Sequence, residues 1–153
     1  MAQAAERGDR IHLTLCRIRE RGDLKHALQR ALRRRIINDD EADEIKAMFA
    51  DSNLAPYFDV WFEPGVRSIN ELTIYNPNAS DGHFTNRMDR VVWTAGGEIH
   101  IIDYKTAEHA GNFMSDGERA QLERYRGLMM SRFPDAVVRA FIVRSAQRLV
   151  LEL

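Results

Sequence analysis

Asn86-Arg87-Met88-Asp89-Arg90-Val91-Val92-Trp93, then Thr94-Ala95-Gly96-Gly97, then Glu98-Ile99-His100-Ile101-Ile102-Asp103-Tyr104-Lys105 is the stretch on which the fold turns. Two runs rich in β-branched and aromatic residues, parted by a Gly-Gly turn, read as a β-hairpin. If the loop has three residues, Thr94 pairs with Glu98 and Gly96 is its centre. Counting outward then sets Asp89 directly opposite Asp103, whereas a two-residue loop would shift the register by one. Alternate strand residues share a face, so Asp103 and Lys105 project together with Ile99 and Ile101. Directly opposed side chains stand roughly 4.5–5.5 Å apart at Cβ, and like charges there repel. Such a pair calls for a proton or a cation between the carboxylates, and a hard, oxygen-seeking ion such as magnesium suits them. An ammonium at Lys105 can orient an attacking water and stabilise charge developing on a phosphate. A lone carboxylate–lysine pair on a strand is ordinarily a surface salt bridge. The second carboxylate across the hairpin, and the apolar run that marks a buried central strand before Asp103, favour chemistry instead.

Outward from the hairpin, 69–75 reads as a preceding strand, and 137–143 and 148–153 as two final ones. A helix starts at Ser115, with Glu118 three residues on as a capping box and Leu122, Tyr125, Met129 and Phe133 as its inner face. The first half is helical. A segment over about 9–21 is ended by Gly22, and Leu24, Leu28 and Leu32 give the next helix one apolar stripe. Asn38-Asp39-Asp40-Glu41 opens a third helix, and Pro56 opens an aromatic segment over 57–62. Helices, three strands, a helix and two strands make a single α/β domain. Residues 1–65 are its mainly helical N-terminal part, and 66–153 carry a mixed central sheet flanked by helices.

The 153 residues are 44% hydrophobic and 29% charged, the balance of a soluble globular chain. No apolar run approaches a membrane span, and the N-terminus lacks a secretory core, so the expected home is cytoplasmic. The single cysteine, Cys16, excludes an intramolecular disulfide and any four-cysteine zinc or iron–sulfur site. The net charge of −1 hides an asymmetry. Residues 1–35 hold ten Lys/Arg against four Asp/Glu, a balance of +6, and the other 118 hold twelve against nineteen, a balance of −7. A basic arm on an acidic body suits a polyanion, with Arg30, Arg33 and Arg34 as the phosphate contacts. From charge alone, a solvated arginine-rich helix explains the arm equally well.

Asp89 followed by Asp103-Tyr104-Lys105 resembles the signature of the PD-(D/E)XK nucleases, and "MDRVVW…IHIIDYKT" is similar to their RecB-type branch. Gly22-Asp23-Leu24-Lys25-His26 resembles that branch's glycine-to-histidine motif. Glu71 stands where the branch has an acid on the first core strand, and Gln121 with Tyr125 resembles its Gln-x-x-x-Tyr motif. The resemblance runs over about residues 22–130. Met88 stands in place of the proline that gives the superfamily its name.

The resemblance implies a restriction-endonuclease-like core and phosphodiester hydrolysis. Asp89, Asp103, Lys105, Gln121 and Tyr125 would be catalytic. His26, Asp89, Asp103, the Tyr104 carbonyl and Glu71 would hold the metal. Magnesium would be the ion, with manganese able to substitute because an imidazole is a borderline ligand. The cysteines that bind an iron–sulfur cluster in some relatives are absent, which excludes that cofactor. DNA is the implied substrate, in recombination or repair, and a helicase motor in the same chain or a partner subunit the implied associate. A stand-alone viral-type exonuclease and a non-cleaving DNA-binding scaffold are the alternatives. Without the resemblance, His26 reads as a solvated histidine, Gln121 as solvated and Tyr125 as packed. Arg90 points to the face away from Asp89 and receives no catalytic role. His83, His100 and His109 read as structural or solvated, and Trp61 and Phe62 as core.

Overall fold

A computed structural model describes residues 2–107 and 111–153. Helices α1 (Ala2–Leu15), α2 (Leu24–Arg33), α3 (Asp39–Ala50) and α4 (Ala55–Trp61) precede strands β1 (Arg67–Tyr75), β2 (Thr85–Trp93) and β3 (Ile99–Lys105). Helix α5 (Asp116–Arg132) and strands β4 (Val138–Arg144) and β5 (Leu149–Glu152) complete the chain. The sheet order is β1-β2-β3-β4-β5, antiparallel except where β3 and β4 run parallel, joined through α5. This is the expected mixed sheet between helical layers, the restriction-endonuclease-like α/β fold.

One face of the sheet buries Val92, Ile102, Tyr104, Phe141 and Val143 under α1–α4, where Ile11, Ile45, Phe58 and Trp61 are fully enclosed. The other face buries Val91, Ile99, Ile101 and Ile142 under Leu122, Tyr125 and Met129 of α5. Residues 99–104 of β3 are buried along their whole length, because a central strand covered on both faces loses the apolar–polar alternation. Ser115 and Asn38 cap α5 and α3, each in a capping box with the glutamate three residues on. Trp61 and Phe62 are core residues, and Trp61 Nε1 donates to His100 Nδ1 at 2.9 Å. His109 lies outside the described residues.

The N-terminal helix departs from expectation. It begins at Ala2 and ends at Leu15, and a turn and a short 3-10 helix over 21–23 lead into α2. Residues 16–20 find partners that a helix would deny them. Asp23 Oδ2 accepts from the Arg19 and Glu20 N–H groups, at 3.0 and 3.2 Å. The carbonyls of Cys16 and Ile18 take Asn70 Nδ2, and those of Ile18 and Arg19 take the Arg90 guanidinium.

Candidate active site

The hairpin turn fixes the register. Thr94 N–H donates to the Glu98 carbonyl at 2.9 Å and Gly97 N–H to Thr94 at 3.0 Å, while Gly97 adopts φ 86 in the left-handed region open to glycine. The loop therefore has three residues, and β2 pairs with β3 from Trp93↔Ile99 to Arg90↔Ile102. The next step in this register sets Asp89 across from Asp103, and the backbone ladder stops short of it. The groups of Tyr104 that would have faced β2 are taken by side chains. Its N–H donates to Asp89 Oδ2 at 2.8 Å, and its carbonyl accepts from His12 Nε2 at 2.8 Å. A carbonyl only accepts, so Nε2 carries a hydrogen and Nδ1 is turned toward Asp89 Oδ2, 3.6 Å away.

Asp103 is 4% exposed and Asp89 7%, so both carboxylates meet at a covered strand end. Burial, then the charge of Asp89, pushes the Asp103 carboxyl above its usual range, against the pull of Lys105. For Lys105, burial works against the ammonium, but the Asp103 carboxylate outweighs it and holds the charged form. Lys105 Nζ lies 2.7 Å from Asp103 Oδ2 as an ion pair, and among the described residues that oxygen has no other partner. The ammonium also donates to Gln121 Oε1 at 3.1 Å. Gln121 Nε2 donates to the Tyr125 hydroxyl at 2.9 Å, which donates to the Arg87 carbonyl at 2.8 Å. Gln121 and Tyr125, one turn apart on α5, thus tie Lys105 back to β2.

Helix α1 closes the other side. Gly8 packs so tightly on the segment after β3 that an added Cβ would stand 2.6 Å from Thr106 Oγ1. Arg7 donates to the Thr106 carbonyl at 3.2 Å and pairs with Glu44 of α3. Between α1 and this segment opens a hollow of about 390 Å³, lined by Gly8, His12, Tyr104, Lys105, Glu118 and Arg144. Arg90, fully buried and without a carboxylate partner among the described residues, fastens the helical layer to β2. Its guanidinium donates to the carbonyls of Ile18, Arg19 and Trp61 and to Asn70 Oδ1, and lies 4.2 Å from the Phe62 ring centroid.

The fold brings Asp89, Asp103, Tyr104, Lys105, Gln121 and Tyr125 together. The histidine expectation needs correction: the imidazole at the two acids is His12, on α1. His26 is exposed on α2 and lines a separate hollow with Arg17, Arg19, Asp23, Ala27 and Arg30. The signal was present, since Gly8-Asp9-Arg10-Ile11-His12 repeats the Gly-Asp-x-x-His spacing of Gly22 to His26. Glu71 is bracketed by the pairs Asn70↔Arg90 and Leu72↔Met88, which sets it beside Asp89. Its backbone adopts φ 54, and its half-exposed carboxylate lies 3.7 Å from Arg87 Nη1. Arg30, Arg33 and Arg34 are exposed on and just after α2.

Among the described residues, no three His, Cys, Asp or Glu side chains converge as a finished cation cage. The donor set nevertheless fits a hard divalent ion: two opposed carboxylates, of which Asp103 Oδ2 has only the Lys105 ammonium as partner among the described residues, a carbonyl at Tyr104 and an imidazole nitrogen turned toward Asp89. No described helix is long and apolar enough to cross a membrane. No curated protein matches the chain. The sequence profile of the PD-(D/E)XK nuclease superfamily matches residues 1–150, and the chain belongs to that superfamily.

Proposed function

We propose that the chain is a divalent-metal-dependent deoxyribonuclease that hydrolyses phosphodiester bonds. The observation that carries this is Lys105 Nζ at 2.7 Å from a buried Asp103 that itself faces Asp89 across the hairpin. In a non-cleaving scaffold nothing would sustain two repelling buried carboxylates and a lysine tethered by Gln121. Asp89, Asp103 and the Tyr104 carbonyl are the ligands, with His12 in the place first given to His26; Glu71, turned to Arg87, is given no ligand role. The chemistry supplied by a bound magnesium or manganese ion is charge stabilisation at the phosphate.

The protein's own groups do the rest. Lys105, held by Gln121, orients the water that attacks phosphorus and faces the charge that builds as the bond to the leaving sugar oxygen breaks. The hollow between α1 and Thr106 receives the reacting phosphate, and Arg30, Arg33 and Arg34 draw in the strand. The likeness to the RecB-type branch supports DNA as substrate, a place in recombination or repair, and work alongside a helicase motor. The test is digestion of linear, circular and single-stranded DNA, and of RNA, with magnesium, manganese or EDTA. DNA cleavage that needs the ion and vanishes in Asp103→Ala is expected. Ion-independent cleavage, or an equally active Asp103→Ala, would overturn the proposal.

A further inference from the structure

Several arginines of the protein are neutralised by carboxylates. Arg10 pairs with Glu41, Arg21 with Asp59, Arg139 with Glu152 and Arg144 with Glu118. Where α1 ends and α2 begins the pattern changes. Arg17, Arg19 and Arg30 are exposed and, among the described residues, have no side-chain partner; with His26 they surround a hollow of about 290 Å³. The acids of this stretch are turned inward. Asp23, the one carboxylate lining the hollow, holds the Arg19 and Glu20 N–H groups, and Glu20 holds Gly65 N–H. Three guanidiniums and an imidazole thus converge against one carboxylate already engaged by the backbone.

The arginines are presented on a fixed frame. The carbonyls of Ile18 and Arg19, in the segment that carries Arg17 and Arg19, are clamped by Arg90, the residue after Asp89. Cys16, the residue before Arg17, is tied to β1 through its carbonyl, which accepts from Asn70 Nδ2 at 2.8 Å, one residue before Glu71. The segment that carries Arg17 and Arg19 is thus fastened to β1 and β2 at the residues next to Glu71 and Asp89.

We propose that this hollow is a phosphate subsite, in which Arg17, Arg19, His26 and Arg30 hold the substrate's phosphodiester backbone away from the bond that is cut. The inference rests on the nuclease reading for its substrate, but its chemistry is that of anion binding alone. It gives His26 a partner other than a metal, and it makes the contact local rather than a diffuse basic arm.

The test is fluorescence anisotropy of a labelled single-stranded oligonucleotide in EDTA, titrated at several salt concentrations. The variant Arg19→Ala/Arg30→Ala, whose altered side chains are exposed and whose fold is checked by circular dichroism, should bind about tenfold more weakly or worse. The slope of log affinity against log salt should flatten by about 1.4, the value for two contacts to a single strand. His26→Ala should weaken binding and His26→Lys should restore it. Arg126→Ala/Arg132→Ala removes the same charge from α5 on the opposite face and should bind as wild type does. Wild-type affinity and slope in Arg19→Ala/Arg30→Ala, or an equal loss in the α5 control, would overturn the subsite. If the wild type binds DNA but cuts none with manganese, the nuclease reading falls, and the anisotropy still decides the subsite.

Discussion

Gly8 of α1 rides directly on Thr106, the residue after Lys105, with no room for even one carbon between them: a Cβ at position 8 would stand 2.6 Å from Thr106 Oγ1. His12 follows one turn along the same helix, so this contact sets how deeply the imidazole reaches over Asp89 and Tyr104. Gly8→Leu should lift α1 and lower cleavage on the order of tenfold or more, by misplacing groups at the reacting centre. Gly8→Ala should cost less, and Thr106→Ala should restore it by removing the oxygen in conflict. An active Gly8→Leu in a digestion time course would show that α1 does not need this seat.

The tether from Lys105 to α5 gives a graded series. Lys105→Ala should lose about 10²–10³ in rate, the cost of a transition-state electrostatic contact. Gln121→Ala leaves the ammonium paired with Asp103 but free to swing, so kcat should fall by about tenfold with KM little changed. Tyr125→Phe removes only the hydroxyl between Gln121 and the Arg87 carbonyl and should fall between that variant and wild type. Steady-state kinetics that place Tyr125→Phe below Lys105→Ala would break the order.

Metal binding should appear as stability. An ion that ligates the folded acids and not the unfolded chain raises the melting temperature. Calorimetry with and without manganese should show that rise in the wild type. Asp103→Asn should show a smaller one, while its ion-free form melts no lower than wild type because a buried repulsion is gone. An undiminished manganese shift in Asp103→Asn would move the ion elsewhere.

Acid should loosen α1 from α3. Burial alone would raise the Glu41 carboxyl, but the Arg10 guanidinium and the Asn38 N–H outweigh it and hold the carboxyl below its ordinary range. A carboxyl depressed in the folded state adds stability above its unfolded pKa, about 4.3, and loses it as pH falls through the folded value. Glu41→Gln should therefore melt lower at neutral pH and lose less than wild type between pH 5 and pH 3. Parallel melting curves over that range would remove Glu41 from the acid response.

The hairpin and its register are legible because the Gly-Gly turn, the alternation along 86–93 and the apolar run before Asp103 are all local in sequence. So are the caps of α3 and α5 and the Gln121–Tyr125 spacing. The site histidine is not, since two segments share the Gly-Asp-x-x-His spacing, and what separates them is a contact between Gly8 and Thr106, far apart in the chain. The early end of α1 is hidden for a related reason. It depends on backbone carbonyls at 16, 18 and 19 accepting from Asn70 and Arg90, and a carbonyl acceptor leaves no mark on side-chain pattern. Arg90 was legible only in direction: it does point away from the acids, into a set of acceptors drawn from the helical layer.

The acceptors of Arg90 come from residues 18, 19, 61 and 70, segments that meet only when the helical layer is seated on the sheet. Until they do, the Arg90 guanidinium lacks these acceptors, and this set of bonds does not hold the helical layer to the hairpin. A chain emerging from synthesis, or one nicked by a protease between α4 and β1, would keep both acids and the lysine in its sequence while lacking the geometry that joins them to His12. On the proposed nuclease reading, cutting power is thus conditional on finished tertiary structure.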